Sequence, residues 1–104
     1  MPYFVFCAHD KPGMGEARAK VREQHRAYIR IPQDGCRCVA GGPLMDETGT
    51  RMNGTLLIFD AQDRQAVERF VAADPYMGEE LFARIDIWPW KWGLGQPAEA
   101  QRWT

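Results

Sequence analysis

Arg18-Ala-Lys-Val-Arg-Glu-Gln-His-Arg-Ala-Tyr-Ile29 is the stretch around which the chain is organised. At 3.6 residues per turn, Ala17, Val21, His25 and Tyr28 share one side of a helix, while Lys20, Glu23, Arg26 and Ala27 turn away from it. The histidine therefore lies on the face that packs inward. A buried imidazole needs partners for both ring nitrogens, because an unsatisfied buried polar group costs about 1–3 kcal/mol. Taken alone, an isolated histidine on a helix face is more often structural than functional.

Upstream, Tyr3 to Ala8 alternates Phe4 and Phe6 on one face with Tyr3, Val5 and Cys7 on the other, the pattern of a strand apolar on both sides. The turn formers in His9-Asp-Lys-Pro-Gly13 end it, and the helix runs from about Met14 to Arg30, closed by Pro32 and Gly35. Downstream, Cys36 to Ala40 reads as a second strand leading into Gly41-Gly-Pro43, where missing side chains let another backbone or a ligand come close. A polar loop from Asp46 to Gly54 and a third strand from Thr55 to Phe59 follow. Asp60 or Asp63 caps a second helix with an Ala66, Val67, Phe70, Val71 stripe, which ends by Asp74 before Pro75. Asp74-Pro75 then starts a short extra turn through Leu81. In the fourth strand, Phe82 to Trp90, Pro89 cannot donate to a ladder and points to a sheet edge. The order strand, helix, strand, strand, helix, strand predicts an α+β domain: the ferredoxin-like βαββαβ plan, one four-stranded antiparallel sheet with two helices on one face. Large apolar residues on the uncovered face imply a homodimer in which two sheets pack together. Residues 1–91 form the expected domain and 92–104 a tail, with Trp92 or Trp103 able to wrap a neighbour.

Composition narrows the function. Thirteen Lys and Arg stand against fourteen Asp and Glu, with no long run of either sign, so no nucleic-acid partner is expected. No stretch approaches the ~18 apolar residues of a membrane span, and a cytoplasmic location is the expectation. Three cysteines, two of them in Cys36-Arg-Cys38, lack a second pair at zinc-like spacing, so no metal site is expected and the thiols read as small hydrophobes. Serine is absent, which excludes a serine triad, and Gly13-Met-Gly15 lacks the remaining spacings of a phosphate loop. No flavin, nicotinamide or nucleotide cofactor is indicated.

Six pieces in fixed order, His9-Asp-Lys-Pro-Gly13, Arg22-Glu-Gln-His-Arg-Ala-Tyr28, Gly41-Gly-Pro43, Gly54-Thr-Leu-Leu-Ile58, Asp74-Pro-Tyr76 and Leu81-Phe82 with Ile87-Trp-Pro-Trp90, make the chain resemble the YciI (YCII-related) family up to about Lys91. The resemblance implies the dimeric α+β barrel group and an active site centred on a histidine and an aspartate. The matching positions are His25 and Asp74, with Asp10 a second candidate carboxylate. Related barrels include cofactor-independent monooxygenases and isomerases, and one branch of the family eliminates HCl from a chlorinated hydroxyhydroquinone.

Physically, a carboxylate on one ring nitrogen fixes the tautomer and raises the basicity of the other, which suits His25 to acid/base work. The competing readings make Asp74 an N-cap, Asp10 a turn residue and Tyr76 a half-buried aromatic. Arg18 and Arg22 flank the histidine face and either hold an anionic substrate or form a solvated stripe paired with Glu16 and Glu23. The split βαβ plan puts Asp74 and Asp10 together at one end of the sheet, with His25 roughly 15 Å along the helix at 1.5 Å per residue. A direct His25–Asp74 hydrogen bond is thus a specific prediction. The expected function is cofactor-independent proton transfer, an elimination or isomerisation of the lyase or isomerase type, on a small molecule, aromatic ones included. His25 is the acid/base and Asp74 its orienter; Asp10, Arg22 and Tyr76 are substrate-pocket candidates. The alternative is a non-catalytic small-molecule binding or accessory module.

Overall fold

The computed structural model describes residues 1–97. Its elements are β1 (Tyr3–Asp10), α1 (Gly15–Ile29), β2 (Cys36–Met45), β3 (Met52–Ala61), α2 (Arg64–Ala72), α3 (Pro75–Gly78) and β4 (Phe82–Trp90). All strand pairs are antiparallel, in the order β2-β3-β1-β4. This is the ferredoxin-like α+β arrangement that the element order implies, with Pro89 on an edge strand.

The alternation in β1 sets the layers. Phe6 pairs with Leu57 on one side and Ile87 on the other, and together with Phe4, Ala8 and Phe59 these form the core beneath the helices. The α2 stripe of Ala66, Val67, Phe70 and Val71 closes over it, with Phe70 edge-on to Phe59 at 5.1 Å. Burying each such aromatic contributes roughly 1.5–3 kcal/mol. Asp63, rather than Asp60, caps α2, its side chain accepting from Ala66 N–H at 2.8 Å. Asp60 instead lies fully buried on β3, with the N-terminal ammonium and the Arg37 guanidinium each 3.6 Å away.

Two departures from the sequence reading bear on the site. The second strand does not stop at Ala40: β2 pairs with β3 through Gly41, Gly42 and Pro43 to Met45, after a register shift between Cys38 and Ala40. Pro43 is tolerated because β2 is an edge strand. Gly41 is required by contact, since a Cβ there would lie 2.6 Å from Leu57 Cδ2 and 2.8 Å from the Leu56 carbonyl oxygen. The second departure is that the extra turn is shorter than expected, Pro75–Gly78, and packs against α1.

The sheet face away from the helices carries Val5, Cys7, Leu56, Ile58 and Trp88, of which Trp88 is 62% exposed. At its far end Trp92 packs edge-on to Trp90 and Tyr3, with ring centroids 4.9 and 6.1 Å apart. Trp103, the other tail residue singled out from the sequence, lies outside the described residues. Among the described residues no helix is long and apolar enough to cross a membrane.

Candidate active site

The site is built on the face of α1 that meets α3. Asp74 follows the end of α2 in extended conformation and caps α3, its Oδ1 accepting from Tyr76 N–H at 2.9 Å. This short helix lies along α1, and Lys20 and Glu79 tie the two at 3.5 Å. The same carboxylate meets the imidazole of His25, with Nδ1 2.9 Å from Oδ1 and 2.7 Å from Oδ2. A carboxylate only accepts, so Nδ1 carries the hydrogen and Nε2 is the other edge of the ring. Both residues are buried, His25 to 6% exposure and Asp74 likewise.

Tyr76 follows Asp74 by two residues, and its fully buried ring stacks on the imidazole, centroids 3.9 Å apart and planes 15° from parallel. On the same ring sits the Arg18 guanidinium, 4.5 Å from the centroid. Arg18 precedes His25 by seven residues, two turns or about 10 Å along one helix face, so the phenol ring fits between them. Burial raises the Tyr76 pKa, against the pull of Arg18 and Arg22, so the phenol stays protonated at neutral pH.

Arg18 is itself only 3% exposed. Asp10 holds it through two charge-assisted bonds, Nε to Oδ2 and Nη2 to Oδ1, both 2.8 Å, and Thr55 Oγ1 accepts a third from Nη2 at 3.0 Å. Burial alone disfavours the guanidinium charge, but the Asp10 carboxylate, with a smaller contribution from Tyr76, outweighs it and the pKa rises. A register shift in the β1–β4 ladder between His9 and Asp10 accompanies this placement. The two carboxylates expected side by side therefore engage residues two turns apart: Asp10 holds Arg18, and Asp74 reaches His25. The 15 Å estimate measured distance along α1 and left out the backtrack of α3.

Beside the imidazole lies a cavity of about 220 Å³ between α1 and the β2–β3 ladder. Arg22, His25 and Tyr76 line it, as do Arg26 and Arg30, with Gly41, Gly42 and Pro43 opposite. Asp10 does not line this cavity; with Arg22 it borders a second cleft, of about 640 Å³, between the β1–α1 turn and the β2–β3 hairpin. The helical periodicity sets Arg26 turning away from the inward face, and Arg30 has no role in the sequence reading, yet both line the cavity, because arginines at 18, 22, 26 and 30 recur every four residues and so follow one helix flank. The buried role of Arg18 had no signal in the sequence. Among the described residues no three His, Cys, Asp or Glu side chains group as a metal site would require. Cys36 and Cys38 are pushed up to about 12 and about 11, chiefly by burial, and are protonated thiols at neutral pH.

Comparison with known proteins places this geometry in context. An uncharacterised protein of Haemophilus influenzae is 32% identical over 94 residues, covering 86% of this chain and 96% of its own. Protein YciI of Escherichia coli O6:H1 is 26% identical over 93 residues, covering 85% and 95%. Among solved structures, 5-chloro-2-hydroxyhydroquinone dehydrochlorinase (TftG) of Burkholderia phenoliruptrix AC1100, in complex with 2,5-dihydroxybenzoquinone, superposes with a TM-score of 0.77 at 32% identity over 88% of this chain and 95% of that one. The YCII-related domain matches residues 1–91, and on these grounds the chain belongs to the YCII-related family.

Proposed function

We propose that this chain is a small acid/base enzyme that moves a proton on a small molecule without a cofactor, in an elimination or an isomerisation. The observation that carries the reading is the His25 imidazole, bonded to Asp74 through Nδ1 at the wall of a cavity. Nε2 takes the substrate proton, and the imidazolium so formed is held by the Asp74 carboxylate. In an isomerisation the proton returns at another substrate atom; in an elimination it leaves with the departing anion. Tyr76 keeps the ring in place by stacking, and Arg22 faces the guest from the next turn of α1. Asp10 acts through Arg18 by fixing the far side of Tyr76. The dehydrochlorinase likeness favours hydroxylated aromatics as the substrates to try first.

The working form on this reading is a homodimer that buries the apolar sheet face, supported by the exposed Trp88 and its aliphatic neighbours. Three free thiols suit the reducing cytoplasm.

A thermal-shift screen of hydroxylated aromatics and lactones, followed by NMR assay of each hit for conversion, tests the catalytic claim. Wild-type protein converts a hit, and His25→Asn lowers turnover by about 10²–10⁴-fold with ligand affinity nearly kept. Undiminished turnover by His25→Asn refutes the assignment, and hits that bind without conversion favour the accessory binding module. Light scattering reads the oligomeric state, and a monomer rules out the paired sheets.

A further inference from the structure

The cavity beside His25 has a charge imbalance that proton transfer by itself does not use. Arg18 is neutralised by Asp10, but among the described residues Arg22, Arg26 and Arg30 are not matched in this way. Arg22 and Arg26 share one carboxylate, Glu23, at 4.0 and 3.5 Å, and that side chain is 79% exposed. The Arg30 guanidinium donates to the Arg26 carbonyl oxygen at 2.6 Å. Among the described residues, three guanidinium groups thus stand against one loosely held carboxylate, and two positive charges are left over at the cavity wall. None of the lining residues is acidic, and the facing strand contributes the uncharged Gly41, Gly42 and Pro43.

The dimensions narrow the guest. At ~30 Å³ per water, 220 Å³ holds about seven waters, or one substituted ring. Arg22 and Arg26 are one turn apart, about 6 Å along the axis, which matches two anionic groups carried across the edge of a single ring. We propose that the cavity takes a ring-sized dianion whose two charges are met by Arg22 and Arg26, with the Nε2 edge of His25 turned toward the ring. The use of His25 rests on the proton-transfer reading; the recognition of the dianion does not. The two fit together chemically, because guanidinium groups that receive an anionic guest also stabilise the enolate or phenolate that proton removal creates.

Isothermal titration of the full chain with isophthalate, a single ring bearing two carboxylates, and with its neutral diamide isophthalamide isolates the charge. Isophthalate is expected to bind at least about tenfold more tightly than the diamide, and to weaken as sodium chloride is raised to ~0.5 M. Arg22→Gln, at a partly buried position, and Arg26→Gln, at an exposed one, each lower isophthalate affinity about five- to tenfold, with a smaller effect on the weak diamide binding. Equal affinities for the two probes, unchanged binding by both variants, or no isophthalate binding at millimolar concentration overturns the proposal. His25→Asn separates the two claims: retained preference for the dianion together with undiminished turnover of a substrate leaves dianion recognition standing while the proton-transfer reading fails.

Discussion

Asp10 offers the sharpest test, because a ligand contact and a structural partner of Arg18 predict opposite outcomes for its removal. The Arg18–Asp10 pair has two 2.8 Å bonds, and both side chains are nearly closed off from water, at 4% and 5% exposure. Asp10→Ala leaves a buried guanidinium that, among the described residues, keeps the Thr55 hydroxyl and the Tyr76 ring but no paired carboxylate. Stranding a buried charge costs about 3–5 kcal/mol, of the order of half the total stability of a domain this size. At about 4 °C per kcal/mol for ~100 residues, the melting temperature falls by roughly 12–20 °C. The double variant Asp10→Ala/Arg18→Met removes both charges, and an apolar side chain at 18 still covers Tyr76, so most of the loss is recovered and the coupling exceeds about 2 kcal/mol. Urea denaturation of the four proteins of this cycle gives the number directly. An Asp10→Ala loss below about 1 kcal/mol, or a double variant as unstable as the sum of the singles, refutes the argument. A ligand contact would instead show as weakened binding at unchanged stability.

Three other outcomes follow from the same packing. The thiols of Cys36 and Cys38 keep their protons to about pH 12 and 11 in the folded chain but release them from about 9 when unfolded, so their stabilisation is complete below pH 9 and drains away between 9 and about 11–12; urea midpoints measured from pH 8 to 11 fall, and a flat profile contradicts this. Gly41→Ala sets a methyl against the Leu56 carbonyl oxygen, costs about 1–3 kcal/mol by calorimetry and lowers the affinity of any guest in the adjoining cavity. Asp63→Ala removes the α2 cap and costs about 1 kcal/mol, seen as a small downward shift in thermal midpoint with ligand binding intact.

What could be read in advance followed the reach of the signal. The ends of β1 and α1 were legible to within a residue or two because Phe4 and Phe6 alternate, and because the breakers Pro12, Gly13, Pro32 and Gly35 bracket one helix. The end of β2 was not, since Gly41, Gly42 and Pro43 have poor strand propensity and are kept in the ladder by β3. The same split holds at the site. His25 and Asp74 were singled out, one by its place on the inward helix face and the other by its motif. Their 2.7 Å contact depends on α3 doubling back along α1, a long-range effect with no local pattern. In sequence Arg18 reads as an anion holder or as part of a solvated stripe paired with Glu16 and Glu23, and only the fold brings Asp10, Thr55 and Tyr76 around it. Arg26 and Arg30 were in principle visible at their four-residue spacing, yet nothing local told a cavity wall from an open surface.

Asp74 Oδ1 serves two masters, the amide that opens α3 and the imidazole of α1. Fraying of that single turn would therefore unmoor the histidine and release Tyr76 from its stack in one motion. The four residues of α3 thus couple the capping of a helix to the seating of the imidazole, and amide exchange at Tyr76 reports how firmly the two are held.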